Sequence, residues 1–255
     1  MNIISTAKLA VASIYGYGLG YSANSTIVSR ALYEKGLYQP PEGLSQEDVA
    51  RLTAACDNVY EQFPEAVSLE SNGSDRRIYG VDRLSQDPVF KELQQRFLLE
   101  AENFYGSTDL EQFCMAGDIS FQADGLGSGS GWHRDSPFRH QFKVIIYLTD
   151  TTVEHGPFEF IPMSHSKKSL AHAARHLGKA LSADRYTDAE VQQLIQDGVV
   201  EPSYAVTGPA GRIMYADTRG LHRGRPLQIG RRRAVTFYIY HKSIPQSISS
   251  VLAKA

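Results

Sequence analysis

The chain has 255 residues, of which 42% are hydrophobic and 21% are charged, as is usual for a globular protein. Its formal net charge of −2 gives no global field that would attract nucleic acid or an anionic membrane surface, so neither is a predicted partner. A chain of this length is ordinary for one barrel or sandwich domain with added helices, and it can bury a core without disulfide or metal staples.

Two cysteines, Cys56 and Cys114, are too few for a disulfide framework, and no Cys-x-x-Cys spacing occurs. We expect both to be buried, reduced thiols of a cytoplasmic protein. Near the amino terminus, Lys8 lies inside a short apolar stretch instead of before it, which is not the arrangement of a secretory signal. No window reaches the apolar length that is needed to span a bilayer.

Residues 1–112 predict a mostly helical amino-terminal layer. Ser45-Gln-Glu-Asp48 is typical of a helix cap, and apolar residues follow it at helical spacing, at Val49, Leu52, Ala55, Val59 and Phe63. A second helix is predicted to begin near Asp87-Pro88, because proline is favoured in the first turn. It should run through the apolar residues Phe90, Leu93, Phe97 and Leu98 towards Tyr105.

From about residue 113 the pattern changes to short β-branched or aromatic runs bounded by Gly, Pro, Asp and Ser. This is typical of antiparallel strands in a sandwich or barrel, and it predicts a β core at 113–165 and 199–241. Residues 166–198 predict a helical insertion, whose second helix is capped by Thr187-Asp-Ala-Glu190 and ends at Gly198. We interpret residues 1–255 as a single domain.

The sharpest local motif is Gly131-Trp-His-Arg-Asp135. In an extended segment, residues i and i+2 project to the same face, so His133 and Asp135 can offer a nitrogen and an oxygen to one cation. Taken alone, such a pair is more often a solvated surface turn. Among the other histidines, His222 stands out because it lies in a glycine-flanked segment shortly before a strongly apolar strand. Two histidines and one carboxylate leave three positions open, as in non-haem iron(II) oxygenases.

Three arginines, Arg231, Arg232 and Arg233, open that apolar strand. An arginine aimed into a barrel interior is costly without an anionic partner, and its guanidinium is suited to bidentate binding of a carboxylate. A small dicarboxylate beside the metal would be such a partner. The alternative is a solvated basic turn, which is the expected state of at least one of the three.

Four segments, in this order, resemble the phytanoyl-CoA hydroxylase-like group of iron(II)/2-oxoglutarate dioxygenases. They are GWHRD at 131–135, KVIIYLTD at 143–150 leading into EHGPFEFIPMSHSK at 154–167, GPAGRIMYADTRGLHRG at 208–224, and RRAVTFYIY at 232–240. The resemblance extends over roughly half of the chain, from Ser120 to Tyr240. It implies a mainly β fold, a double-stranded β-helix (a jelly-roll, cupin-like barrel) flanked by amino-terminal helices and a helical insertion.

The resemblance also implies the site. His133, Asp135 and His222 would bind Fe(II), with 2-oxoglutarate and O2 as co-substrates for hydroxylation of a small-molecule metabolite, releasing succinate and CO2. Arg232 would bind the distal carboxylate of 2-oxoglutarate, since the matching strand in related hydroxylases reads Arg-x-Ala-aliphatic-Ser/Thr, and Arg233 would then face the other way. Tyr147 resembles a tyrosine that hydrogen-bonds this carboxylate in prolyl hydroxylases; one more aromatic residue in a buried strand is an equal alternative.

Two positions distinguish this chain within that pattern. Met163 stands where the family usually has glycine in a Pro-Gly-Ser-His turn, which puts the local turn geometry in question. Asp135 is an aspartate, whereas related halogenases have a small residue there, so the sequence favours hydroxylation or another oxidation over halogenation.

The substrate and the oligomeric state are not specified by the sequence. Arg134, Arg139, Arg223 and Arg225 flank the predicted ligands and could form a basic mouth for an anionic substrate, although solvation is the ordinary state of each. Two other functions compete with the oxygenase. A zinc hydrolase could use the same three ligands but would not need Arg232. A non-catalytic ligand-binding barrel would not need an intact ligand set.

Overall fold

The computed structural model describes residues 25–70 and 73–252. The amino-terminal segment that was tested as a secretory signal lies outside these residues. In chain order the strands are β1 (Leu37–Tyr38), β2 (Ser68–Glu70), β3 (Asp75–Tyr79), β4 (Leu110–Ser120), β5 (Trp132–His133), β6 (Phe142–Tyr147), β7 (Phe158–Phe160), β8 (Arg185–Tyr186), β9 (Tyr204–Val206), β10 (Ile213–Asp217), β11 (His222–Gly224) and β12 (Arg231–His241). The helices are α1 (Ile27–Glu34), α2 (Gln46–Gln62), α3 (Val81–Leu84), α4 (Val89–Tyr105), α5 (Lys167–His176), α6 (Asp188–Gln196) and α7 (Gln246–Ser249), with short 3-10 turns at Pro64–Ala66 and Val153–His155.

The strands form two antiparallel sheets. The larger has the order β1-β10-β6-β12-β4-β3-β2, and the smaller has the order β8-β5-β11-β7-β9. Their inner faces meet where Ile145, Tyr147 and Met214 of the larger sheet pack against Phe158 and Phe160 of the smaller one. This arrangement confirms the predicted mainly β jelly-roll fold with a helical layer, but the strands of the described residues form two separate sheets that are not closed into a barrel.

The amino-terminal helices cover the outer face of the larger sheet. Leu52 of α2 and Phe97 of α4 are fully buried and share one hydrophobic core with Phe237 of β12. The hydroxyl of Ser45 accepts a hydrogen bond from the N–H of Asp48 and begins α2, as the capping pattern predicted. The helices therefore hold the sheet from outside and leave its inner face to the smaller sheet.

The amino-terminal region also contributes strands. The short strands β1, β2 and β3 extend the larger sheet at its two edges, and β8, inside the predicted helical insertion, pairs with the His133-containing strand β5. Edge strands this short pair mainly through backbone atoms and leave little side-chain pattern in the sequence. The insertion is consequently part of the smaller sheet next to the candidate metal ligands.

The cysteines and the apolar character of the helices follow the predictions made from composition. Cys56 of α2 and Cys114 of β4 are both buried and unpaired. None of the helices in the described part of the chain combines the length and the apolar character that a membrane span requires.

Candidate metal centre

His133 and His222 are cross-strand neighbours. β5 and β11 pair in antiparallel register with these two residues opposite each other, and their ring centroids are 4.3 Å apart. The Nδ1 atoms of the two rings lie 2.9 Å from the carbonyl oxygens of Gly131 and Gly220, respectively. Because a carbonyl only accepts, each Nδ1 carries the proton, and each Nε2 is left with a lone pair for a cation.

Asp135 completes the group from the loop after β5. Its Oδ1 lies 3.8 Å from Nε2 of His133, and its Oδ2 lies 3.6 Å from Nε2 of His222. The backbone N–H of Asp135 donates to the carbonyl of Thr218 at 3.0 Å, which fixes this loop against the segment before β11. All three ligand atoms lie within 4.8 Å of one another, a spacing that one divalent cation about 2 Å from each atom can bridge.

The protonation states of the three side chains suit a metal. Burial lowers the pKa of His133, and burial together with the neighbouring ring of His133 lowers the pKa of His222 to about 3. Loss of water alone would raise the pKa of Asp135, but the ammonium of Lys143 and the two imidazoles hold it well below its usual range. The site therefore offers two neutral imidazoles and one carboxylate, which are the forms that bind a cation.

Lys143 was missed by the sequence reasoning. Its Nζ lies 2.6 Å from Oδ2 of Asp135, and its side chain is only 7% exposed. A signal was present, because Lys143 is the one charged residue in the run 142–149 and shares a strand face with Ile145 and Tyr147. In an inward-facing strand, that placement predicts a buried ammonium that needs an acidic partner.

The arginines of β12 divide between the two faces of the larger sheet. Arg232 is buried and lines the same cavity as the three candidate ligands, and its Nη1 has no hydrogen-bond partner among the described residues. Arg233 points to the opposite face and pairs with Asp57 of α2. A buried guanidinium nitrogen without a partner fits a ligand carboxylate in the cavity. Of these two arginines, Arg232 is the one that faces the cavity.

Tyr147 lines the cavity near Arg232, but its hydroxyl already has partners in the protein. It donates to the carbonyl of Val206 at 2.9 Å and accepts from the N–H of Phe158 at 2.8 Å. These bonds connect β6 to β7 and β9. Donation to a ligand carboxylate would require the phenol proton to leave Val206, so the role of Tyr147 in ligand binding stays a prediction.

The four arginines of the predicted basic mouth have different environments. Arg134 is buried and donates to two backbone carbonyls. Arg223 and Arg225 both lie close to Glu159, at 2.7 Å and 3.5 Å. Arg139 is exposed and borders the cavity. Of the four, it is the one left to attract an anion at the entrance.

The candidate ligands open into a cavity of about 1590 Å³ between the sheets. Along the inward face of β12, Arg232 lies at one end of this cavity, while Tyr238 and Tyr240 lie at the other. Phe113 of β4 stacks on Tyr238 with ring centroids 4.6 Å apart, and Nζ of Lys143 lies 4.3 Å from the centroid of the Tyr238 ring. The metal site thus lies between a basic end and an aromatic end.

Known proteins are similar to this chain in sequence and in fold. The profile of the phytanoyl-CoA dioxygenase (PhyH) family matches residues 32–224. Among curated proteins, the L-proline trans-4-hydroxylase of Streptomyces griseoviridis is 26% identical over 227 residues, which cover 79% of this chain and 81% of that protein.

Solved structures share the fold. The non-haem α-ketoglutarate-dependent carbocyclase SnoK from nogalamycin biosynthesis superposes with a TM-score of 0.61 at 17% identity, covering 92% of this chain and 95% of SnoK. EctD from S. alaskensis with bound Fe superposes with a TM-score of 0.62 at 19% identity, covering 87% of this chain and 79% of EctD. At such identities the likeness supports the jelly-roll fold of two facing sheets.

Proposed function

Since the chain belongs to the phytanoyl-CoA dioxygenase family, we propose that His133, Asp135 and His222 bind one Fe(II) ion at the centre of the cavity. The chain is a non-haem iron, 2-oxoglutarate-dependent dioxygenase of the hydroxylase type. The observation that carries the ligand assignment is the convergence of two imidazole nitrogens and one carboxylate from separate parts of the chain within 4.8 Å.

We assign the distal carboxylate of 2-oxoglutarate to Arg232. Its buried Nη1 has no hydrogen-bond partner in the described part of the chain, and a dicarboxylate in the cavity would satisfy it while being oriented towards the metal ligands. When bound, iron and 2-oxoglutarate supply the oxidising chemistry, in which 2-oxoglutarate and O2 become succinate and CO2 as one substrate C–H is hydroxylated. Tyr147 is assigned to the same end of the cavity as a neighbour of Arg232.

The chain itself contributes orientation and exclusion of water. The pairing of β5 with β11 fixes the two imidazoles relative to each other, and the carbonyls of Gly131 and Gly220 hold their Nδ1 protons away from the metal. The two facing sheets enclose most of the site, in which His222 is buried and the side chain of Asp135 remains 21% exposed, and they would limit access of water to a bound metal.

We propose that the substrate is a small molecule with an anionic group, bound on the side of the metal opposite Arg232. That side is bounded by Phe113, Tyr238 and Tyr240, with exposed Arg139 on the border of the cavity. The cavity is larger than the roughly 300–1,000 Å³ of most small-molecule sites. There is room beside 2-oxoglutarate for a substrate larger than proline, the substrate in the name of the curated relative.

The two competing functions have less support. A zinc hydrolase on the same ligands would leave the buried Arg232 without a role, and a non-catalytic barrel would have no reason to hold three ligand side chains in register. We also propose a cytoplasmic location, which the two buried and unpaired cysteines support.

The test of this function is anaerobic addition of Fe(II) and 2-oxoglutarate to the purified protein. We expect the weak visible charge-transfer band of the chelate in the unmodified protein and its loss in His222→Ala and Asp135→Ala. His172→Ala, at an exposed position of α5, is the matched control and should retain the band. Persistence of the band in both ligand variants would refute the assignment. A succinate-release screen against a metabolite panel then identifies the substrate.

A further inference from the structure

Lys143 occupies an unusual position for a lysine. It lies on the inward face of β6, is almost completely buried, and has its ammonium 2.6 Å from Oδ2 of Asp135 and 4.3 Å from the centroid of the Tyr238 ring. Burying an ammonium is costly unless it is paired and hydrogen-bonded. Here the acidic partner is the carboxylate that we assign to the metal.

The position of Lys143 beside Asp135 is not explained by a need to attract a metal ion. A positive charge so close to Asp135 opposes the approach of a divalent cation to the same carboxylate. What the ammonium does provide is a hydrogen bond to one particular oxygen. With Oδ2 held by Lys143, Oδ1 is the oxygen left for a metal, and it lies 3.8 Å from Nε2 of His133.

The number of oxygens that Asp135 uses determines how open the metal is. Two histidines and a carboxylate that binds through one oxygen leave three positions free on an octahedral ion. A carboxylate that binds through both oxygens takes one of those positions and competes with a chelating co-substrate. On the basis of the function proposed above, we propose that Lys143 is a positioning residue that restricts Asp135 to one metal-binding oxygen and so keeps a coordination position free for 2-oxoglutarate.

The chain offers a matched control for this inference. Lys179 also pairs with a carboxylate, that of Glu190 at 2.5 Å, and its Nζ lies 5.1 Å from the ring centroid of Tyr186. Lys179 does not line the cavity. Lys143→Met and Lys179→Met therefore remove the same kind of ion pair with an aromatic neighbour, in one case at the metal centre and in the other case outside it.

The experiment measures binding and spectra and does not depend on turnover. Each protein is loaded with Co(II), whose visible spectrum reports coordination number, and is then titrated with 2-oxoglutarate without O2. We expect Lys143→Met to bind Co(II) at least as tightly as the unmodified protein, with an altered spectrum. Its affinity for 2-oxoglutarate should fall by about tenfold, the lower end of what loss of an outer-shell partner costs. Lys143→Arg should restore the spectrum and the affinity, and Lys179→Met should change neither.

Each outcome separates this inference from the proposed function. If the unmodified protein binds neither Co(II) nor 2-oxoglutarate, the proposed function itself fails. If it binds both, and Lys143→Met has the same spectrum and the same 2-oxoglutarate affinity, only the positioning role of Lys143 is overturned. An equal loss in Lys179→Met would also overturn it. Should Lys143→Met not fold, Lys143→Gln, which is uncharged and shorter than lysine, replaces it with the same expected loss.

Discussion

Arg232 and Arg233 are adjacent in β12, and their side chains leave opposite faces of the larger sheet. Arg232 ends in the cavity, where one of its guanidinium nitrogens has no partner within residues 25–70 and 73–252, while Arg233 pairs with Asp57 on α2. Because side chains alternate along a strand, one of these neighbours lies in the cavity, where we propose that it binds a ligand, and the other packs against α2.

Substitution of each arginine should therefore have a different consequence. We expect Arg232→Ala to weaken binding of 2-oxoglutarate at least about 30-fold, the equivalent of about 2 kcal/mol for loss of a buried charge-assisted pair, with metal binding retained. Arg233→Ala should leave 2-oxoglutarate affinity unchanged. Titration of the anaerobic Fe(II) proteins with 2-oxoglutarate measures both. If Arg233→Ala weakened 2-oxoglutarate binding and Arg232→Ala did not, the co-substrate would be bound elsewhere.

Gly129 lies against the imidazole ring of His133, one of the three candidate metal ligands. Its backbone has φ +82°, and a Cβ there would lie 2.4 Å from Cε1 of His133. We expect Gly129→Ala to displace the imidazole and weaken Co(II) binding about 10-fold or more, as disturbance of a ligand's support does. Isothermal titration with Co(II) measures this loss.

Gly131 provides the control for that substitution. It has a similar φ of +88°, but a Cβ there would meet no atom of the described residues within 4 Å. Gly131→Ala thus introduces the same backbone strain without the contact, and its effect on Co(II) affinity should be much smaller. Equal losses in the two variants would show that strain in the loop, and not displacement of His133, weakens the site.

Some features of the fold and of the candidate site could be predicted from the sequence and others could not, for physical reasons. The residues that we propose as ligands, His133, Asp135 and Arg232, could be selected from the sequence because their types and order match a family pattern, and the structure brings them to one cavity. The pairing of the short strands β1, β3 and β8 could not be predicted from the sequence, because it depends on backbone partners that are distant in the chain. Lys143 was missed for a related reason: the strand pattern indicates a buried ammonium at this position, but no local pattern identifies Asp135, which approaches across the cavity, as its partner.

The free energy of unfolding should depend on pH through the protonation of His165. This residue is buried, its Nε2 donates to the carbonyl of Tyr33 at 3.0 Å, and its Nδ1 has no partner among the described residues. Burial is the largest effect on the pKa of His165 and lowers it. The carboxylate of Asp217 raises this pKa by a smaller amount, and the charge of Arg219 lowers it further. The folded protein thus keeps this ring neutral at pH values where the unfolded chain, with an ordinary pKa of about 6.5, becomes protonated.

It follows that the free energy of unfolding falls as the pH decreases below about 6.5, because the unfolded state binds a proton that the folded state does not. His165→Gln should remove this part of the pH dependence, and His172→Gln, at an exposed position, should not. Urea unfolding of the metal-free proteins at pH 7.5, 6.5 and 5.5 measures the difference, since the other histidines contribute equally to all three proteins. Parallel pH profiles for the unmodified protein and His165→Gln would contradict the expectation.

The family resemblance predicts glycine at the position of Met163, and the turn has the backbone shape that glycine favours. Its φ is +62°, its N–H donates to the carbonyl of Lys35 at 2.9 Å, and its side chain is 51% exposed. A left-handed conformation costs a residue with a Cβ about 1–2 kcal/mol, while glycine costs about 0.5–1 kcal/mol through the greater freedom of its unfolded chain. We expect Met163→Gly to stabilise the fold by up to about 1 kcal/mol, which raises Tm by roughly 2–4 °C.

The control for Met163→Gly is Met163→Ala, which shortens the side chain but keeps the Cβ. Since the methionine is half exposed, little packing is lost, and the strain of the left-handed backbone remains in the alanine variant. Thermal unfolding followed by circular dichroism should then show a gain for glycine and none for alanine. A gain of the same size in both variants would mean that the methionine side chain itself, and not its backbone conformation, is unfavourable at this turn.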